Sequence, residues 1–113
     1  MTNLEMAKKC AQILDDKKGI NINAIKVDEL SSIADYIILA TGTSSTHVKA
    51  LADEVEVQLK AEGIMPDHVE GHRSNSWILI DYKDVIVHVF SDEARTFYNL
   101  DKLFEKGEIV ELS

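Results

Sequence analysis

The segment Tyr36-Ile37-Ile38-Leu39-Ala40-Thr41 is apolar almost without interruption, and it constrains the fold more than any other stretch. A strand with one wet face alternates between apolar and polar residues. An unbroken run suits an inner strand covered on both sides. Gly42-Thr43-Ser44-Ser45 ends it, with Ser44 or Ser45 placed to cap a helix. Val48, Leu51, Ala52, Val55 and Leu59 then fall on one helical stripe, while Glu54, Glu56 and Lys60 lie off it. Gly63 sits where that helix should stop, and Pro66 prevents its continuation.

The rest of the chain fits around this strand–helix unit. Thr2-x-x-Glu5 is a capping-box pattern, and Leu4, Ala7, Ala11 and Leu14 follow at helical spacing. A helix is predicted over about residues 3–18, with Gly19 as its stop and Lys17 and Lys18 at its negative end. Ile22–Val27 reads as a strand. Ile64 and Met65 form a short apolar patch that could make a minor strand, and Glu70-Gly71-His72-Arg73-Ser74-Asn75 reads as a polar loop. Two adjacent strands follow, Trp77–Tyr82 and Val85–Phe90, joined at Lys83-Asp84 by a turn without the usual glycine. Ser91-Asp92-Glu93 caps a helix running to about Asn99, which Leu100, Leu103 and Phe104 extend by a turn. Residues 105–113 form a short acidic tail. With 113 residues there is room for one domain, and the order of elements gives a single α/β domain with a mixed sheet.

The hairpin can be read face by face. If Tyr82 pairs with Val85, Ile78 faces Val89 and Ile80 faces Val87 on a wholly apolar side that belongs against helices. The other side pairs Trp77 with Phe90, Leu79 with His88, and Asp81 with Ile86. A carboxylate and an imidazole do not belong in a sealed core unless paired. The expectation is therefore a half-covered face presenting Trp77, Leu79, Ile86 and Phe90 to a partner. The competing expectation is a covering helix with Asp81–His88 as an internal pair.

Charge narrows the partners. The chain carries 12 basic and 20 acidic side chains, a net −8. Such a chain cannot grip phosphates through counterion release, so little direct nucleic-acid binding is expected, and an anionic membrane surface is equally unsuitable. A basic protein is the natural partner. One cysteine, Cys10, permits neither an internal disulfide nor a thiolate zinc site. No signal-like or membrane-spanning run is visible, so a cytoplasmic protein is expected.

Few motifs carry chemistry. The Gly42–Ser45 loop before a helix could hold a phosphate, but it has neither the glycine fingerprint of a dinucleotide site nor the Gly-Lys-Ser/Thr of a P-loop. His68 and His72 stand four apart, yet Gly71 and the loop composition argue against a helix aligning them as metal ligands. His47 reads as a surface or capping histidine. Ser44, His88 and Asp81 could compose a nucleophilic triad only if the fold brought them together, and no nucleophile elbow is present.

Several motifs nevertheless agree with one family. These are Asp28, Ser31-Ser32-Ile33-Ala34-Asp35-Tyr36, and Ala40-Thr41-Gly42-Thr43-Ser44-Ser45-x-His47-Val48-x-Ala50-Leu51-Ala52-x-Glu54. They continue with Glu70-Gly71, Trp77-Ile78-Leu79-Ile80-Asp81-Tyr82-x-Asp84, Val87-His88, and Glu93-x-Arg95-x-Phe97-Tyr98-x-Leu100-x-x-Leu103-Phe104. Over about residues 4–104 the chain resembles the ribosomal silencing factor (RsfS, Iojap-like) family. It departs from the usual pattern at Lys83, where glycine is common, and at Phe104, where tryptophan is common.

The resemblance implies a nucleotidyltransferase-like fold without the catalytic motif, since Asp81 and Asp84 are separated by a turn rather than alternating on one strand face. It implies docking on the large ribosomal subunit through its fourteenth protein, a block on joining with the small subunit, and repression of translation under nutrient limitation. It also implies a homodimer off the ribosome. No enzyme activity, cofactor or metal is expected. The expected contact residues are Trp77, Leu79, Asp81, His88, Tyr98 and Leu100, with Trp77 and Tyr98 as anchors and Asp81 pairing with Arg or Lys. Tyr98 and Leu100 could equally pack the last helix. The alternative function is a nucleotidyltransferase-type enzyme using the Gly42–Ser45 loop for phosphate.

Overall fold

The computed structural model describes residues 1–29, 34–71 and 76–111. Ser31–Ile33 of the family motif and the loop residues 72–75, His72 among them, lie outside the described residues. The elements run α1 (Asn3–Asp16), β1 (Ile20–Lys26), β2 (Tyr36–Gly42), α2 (Ser45–Ala61), β3 (His68–Glu70), β4 (Trp77–Asp81), β5 (Val85–Ser91), α3 (Asp92–Tyr98), α4 (Leu100–Leu103) and β6 (Glu108–Ile109). The strands form a sheet in the order β3-β4-β5-β2-β1-β6.

β2 lies inside the sheet, parallel to β5 and antiparallel to β1, and each of its seven residues is buried. On one side Ile38 and Ala40 join Ile78, Ile80, Val87 and Val89 of the hairpin under α1 and α2. On the other side Ile37 and Leu39 join Ile25, Val27, Phe90 and Ala94, with Trp77, Ile86, Leu100 and Phe104 packed around them. The hairpin register is the expected one, from Trp77↔Phe90 through Asp81↔Ile86.

The turn solves its missing glycine locally. Lys83 takes a positive φ of 74°, and the Asp84 N–H reaches the Tyr82 carbonyl at 3.1 Å in a tight γ-turn. The Asp81 carboxylate accepts the Lys83 N–H at 2.7 Å, which offsets part of that strain.

Several boundaries differ from expectation. α1 ends at Asp16, and Lys18 rather than Gly19 turns left-handed, with φ 65°. Leu4 is 39% exposed, and Met6, Cys10 and Ile13 fill the stripe instead. β1 begins at Ile20 and carries a bulge between Ile20 and Asn23. The minor strand forms at His68–Glu70, where pairing with β4 is available, and Met65 stays exposed. Asn99, left-handed at φ 50°, separates α3 from α4, so the last helix is broken rather than extended. The acidic tail supplies β6, pairing Ile109 with Ile25 and Glu108 with Lys26.

Tyr82, just past β4, lies in the core under α1 and α2. Its hydroxyl is sealed from solvent and has no hydrogen-bond partner among the described residues. Burial pushes the phenol's pKa up, and Cys10 and Glu56 add to the shift. An unsatisfied buried hydroxyl costs about 1–3 kcal/mol. Tyr82→Phe should therefore raise the midpoint of denaturant unfolding, an effect of about 1 kcal/mol. A lowered midpoint would mean that the hydroxyl makes a stabilising bond.

Candidate functional site

Trp77, Leu79 and Asp81 alternate onto one face of β4, and Ile86, His88 and Phe90 onto the same face of β5. The short α3 crosses one end of this face. Phe90 is sealed beneath it, so Phe90 cannot meet a partner, contrary to the expectation above. Trp77, Leu79 and Ile86 remain half-buried, so the face is open along β4.

Trp77 organises the open part. Its ring centroid lies 4.4 Å from Tyr98, 5.7 Å from His88 and 5.9 Å from Phe90. Its indole N–H donates to Nδ1 of His88 at 3.0 Å. Tyr98 stands 52% exposed on this stack, and Phe97 packs edge-on against Tyr98 at 5.1 Å while remaining 80% exposed. Leu100 is half-buried beside them, and Leu103 is exposed. Aromatic residues grouped in this way on an open face supply large contact area at low entropic cost.

His88 is the buried support of this surface. It is 7% exposed, so it reaches a partner only through Trp77. Burial pushes its pKa down to about 4. The indole donor also requires a lone pair on Nδ1, so the ring proton sits on Nε2. Asp81 and His88 are not the internal pair that was the other expectation. The second Asp81 oxygen instead faces His68 Nδ1 at 3.5 Å across the β3–β4 pairing.

Asp67, His68 and Asp81 could each offer one ligand atom, all within 4.8 Å of one another. Glu70 lies 3.8 Å from His68 Nε2, and the Lys83 ammonium lies 4.0 Å from Asp67. Asp67 and His68 are about half exposed, so this is a solvated charge cluster at the foot of β4. The i,i+4 partner considered for His68, His72, lies outside the described residues.

The Gly42–Ser45 loop serves internal needs. A Cβ on Gly42 would meet Val48 at 2.7–3.0 Å, so the glycine lets β2 run directly into α2. Ser44 caps α2 by accepting the His47 N–H at 3.1 Å. His47 Nδ1 accepts the Thr43 N–H at 2.9 Å, and its Nε2 reaches the Lys17 carbonyl at 2.8 Å. His47 thus ties the end of α1 to the start of α2. These bonds occupy backbone donors that a phosphate would need. The neighbouring groove, lined by Ser76, Ser91, Asp92 and Glu93 as well, brings two carboxylates toward any anion. Nor does a triad form: Asp81 is level with Ile86, whereas Ser44 follows Gly42, which is level with Ser91. That is five residues along the strand, or about 17 Å.

Of the six expected contacts, Trp77, Leu79 and Asp81 therefore share the open face of β4, with Tyr98 stacked on Trp77; Leu100 packs against the second core, the alternative stated for it, and His88 is buried beneath the face. Periodicity does not single out Phe97 and Leu103, which stand exposed on either side of the break at Asn99. A helical wheel drawn through residues 91–104 as one helix hides that break.

Comparison with known proteins agrees on a single family. The family model described as "Ribosomal silencing factor during starvation", RsfS, matches residues 1–113. A protein named ribosomal silencing factor RsfS from Halalkalibacterium halodurans is 37% identical over 112 residues, covering 99% of this chain and 96% of that one. The protein of the same name from Bacillus subtilis is 35% identical over 112 residues, covering 99% and 95%. A crystal structure from Chromobacterium violaceum superposes with a TM-score of 0.90 at 38% identity, covering 93% of this chain and 88% of that one.

His88 gives the surface a testable pH signature. In the unfolded chain a histidine takes its proton near pH 6.5, whereas folded His88 resists until about 4. As pH falls through that interval the unfolded state binds the extra proton, so stability should drop, by up to about 3 kcal/mol. His88→Gln keeps an acceptor for the indole without a titrating ring, and it should lose correspondingly less over the same interval. Equal losses in wild type and His88→Gln, measured by urea unfolding at each pH, would show that another group takes the proton.

Proposed function

The chain belongs to the ribosomal silencing factor family, and on that premise we propose that it represses translation by docking on the free large ribosomal subunit and blocking its union with the small one. The contact is with the subunit's fourteenth protein, and repression matters most under nutrient limitation. The protein acts in the cytoplasm, pairs with a second copy when off the ribosome, and performs no catalysis.

The observation carrying this reading is the open face of β4: an apolar, aromatic-capped surface ending in Asp81, on a chain of net charge −8. Trp77 and Tyr98 provide a large anchor, and the indole N–H of Trp77 is already satisfied by His88, so burying the Trp77 ring against a partner strands no polar group of its own. Asp81 holds the Lys83 N–H with one oxygen and faces the His68 ring at 3.5 Å with the other. A basic ribosomal protein meets these features well, whereas phosphate-rich RNA is repelled. Steric occlusion needs only a bulky folded domain held at the joining surface.

Sedimentation of purified subunits tests this. Added before mixing, the protein should travel with large subunits and lower the yield of joined ribosomes; added afterwards it should do little. Asp81→Asn, which keeps the oxygen that accepts from Lys83, should weaken docking with little change in melting. Leu79→Arg should abolish docking by setting a cation against a basic surface. Ile80→Ala, on the sealed side, should lose about 2–5 kcal/mol of stability. Co-sedimentation with small subunits, or unaltered docking by Leu79→Arg, would overturn the reading. A saturable rise in melting temperature with magnesium and a nucleoside triphosphate would support the nucleotidyltransferase alternative.

A further inference from the structure

We propose that Arg95 is a positioning residue for the docking face: its buried guanidinium clasps β1, β2 and α4 together, and so holds Tyr98 closed over Trp77. The proposal rests on the docking face described above and adds what keeps that face in shape.

The α3–α4 corner has little else to hold it. A seven-residue helix is far too short to be stable alone. α3 buries only Ala94 and Arg95, and α4 buries no residue. Half-buried Leu100 and Phe104 touch the second core but leave the corner's own apolar anchor thin.

Arg95 supplies the missing anchor. It is 8% exposed, and its planar fork is bidentate with Asp101, Nε to Oδ2 at 2.9 Å and Nη2 to Oδ1 at 2.8 Å. Nη1 donates to the Asn21 carbonyl at 2.6 Å and to the Thr41 hydroxyl at 3.0 Å. The guanidinium also lies over the Phe90 ring, 5.8 Å from its centroid, and that ring is itself 5.9 Å from Trp77. One side chain therefore ties α3 to the bulged start of β1, to the end of β2, and across the Asn99 break to α4.

The bulge is part of this arrangement. One extra residue in β1 between Ile20 and Asn23 breaks the ladder, and Asn21 takes a left-handed φ of 50°. Its carbonyl accepts from Arg95. Lysine could not reproduce four directed bonds in one plane. Nor can the site lose one partner quietly, because a buried cation without its carboxylate is strongly unfavourable. The inexpensive response is for the corner to lift, which would take Tyr98 off Trp77.

Trp77 is the only tryptophan, so its emission reports on this stack directly. Arg95→Lys, Asp101→Asn and the milder Thr41→Val should be compared with wild type and Leu79→Arg for emission, far-ultraviolet circular dichroism and large-subunit binding. With secondary structure retained, Arg95→Lys and Asp101→Asn should show red-shifted emission and about tenfold weaker binding, equivalent to roughly 1.4 kcal/mol. Thr41→Val should fall between them and wild type. If Arg95→Lys fails to fold, the other two variants carry the same comparison. Unchanged emission in the folded variants would overturn the clasp, whatever they bind. Altered emission with wild-type binding, while Leu79→Arg fails to bind, would show that the clasp does not position the docking face. If Leu79→Arg binds normally, the docking-face reading itself has failed, and the positioning role falls with it.

Discussion

Burial of β2 on both faces is the constraint from which the rest of the structure follows. A strand without a polar side needs a cover above and a cover below, and the described residues supply two long helices and two very short ones to provide them. α1 and α2 take one face completely. Their stripes contribute Ala7, Cys10, Leu14, Val48, Leu51 and Leu59, all fully or almost fully buried. What is left for the other face is α3, α4 and the turn of chain leading to β6. That is enough to seal Leu39 and Phe90 near the middle of the sheet but not enough to reach the length of β4. The open surface thus results from an unequal division of helices between the two sides.

This inequality explains why the polar groups lie where they do. On the sealed side, the one unsatisfied polar group among the described residues is the Tyr82 hydroxyl, and even there the ring is apolar core. On the other side, polar groups are paired in a graded way from buried to exposed. Arg95 makes four directed bonds at the corner, His88 is neutral and bonded to Trp77, and Asp81 holds the Lys83 N–H with one oxygen while the other faces His68. Buried charge and buried imidazole are tolerable because each has a directed partner. The face that emerges is held in shape by these directed bonds, and its carboxylate is only partly exposed.

Much of this was legible in the sequence. The unbroken apolar run of Tyr36–Thr41 located the inner strand, and the alternation in Trp77–Asp81 and Val85–Phe90 gave the hairpin register residue for residue. Periodicity succeeds where one residue's environment is set by its neighbours two or four away. It failed where the environment is set at long range. Phe90 carries an apolar side chain whichever way the face is covered, so its alternation could not show that α3 seals it. Glu108 and Ile109 form a strand only because β1 offers them a free edge. Arg95 looks like any helix-surface arginine until the Asn21 carbonyl, 74 residues away, is brought within reach. Asn99 was the hardest to see, since asparagine is only one of several residues that can end a helix in a left-handed turn.

The same long-range demands decide which part of an α/β architecture is available for function. Sheets of this kind commonly bind small ligands in the crevice beyond the carboxyl ends of parallel strands. Here the parallel pair is β2 with β5, ending at Gly42 and Ser91. Both ends run straight into helices, and the groups found there are spent on the turn. The Ser44 and Ser91 hydroxyls accept from His47 and Ala94, the Thr43 N–H goes to the His47 ring, and Val48 fills the space beside Gly42. Asp92 and Glu93 then place negative charge over the opening, which suits the start of α3 and repels phosphate. With the customary crevice committed to holding α1, α2 and α3 in place, the surface proposed for docking is the flank of the sheet that α3 leaves uncovered. There a broad, aromatic and partly acidic surface favours another protein over a small molecule.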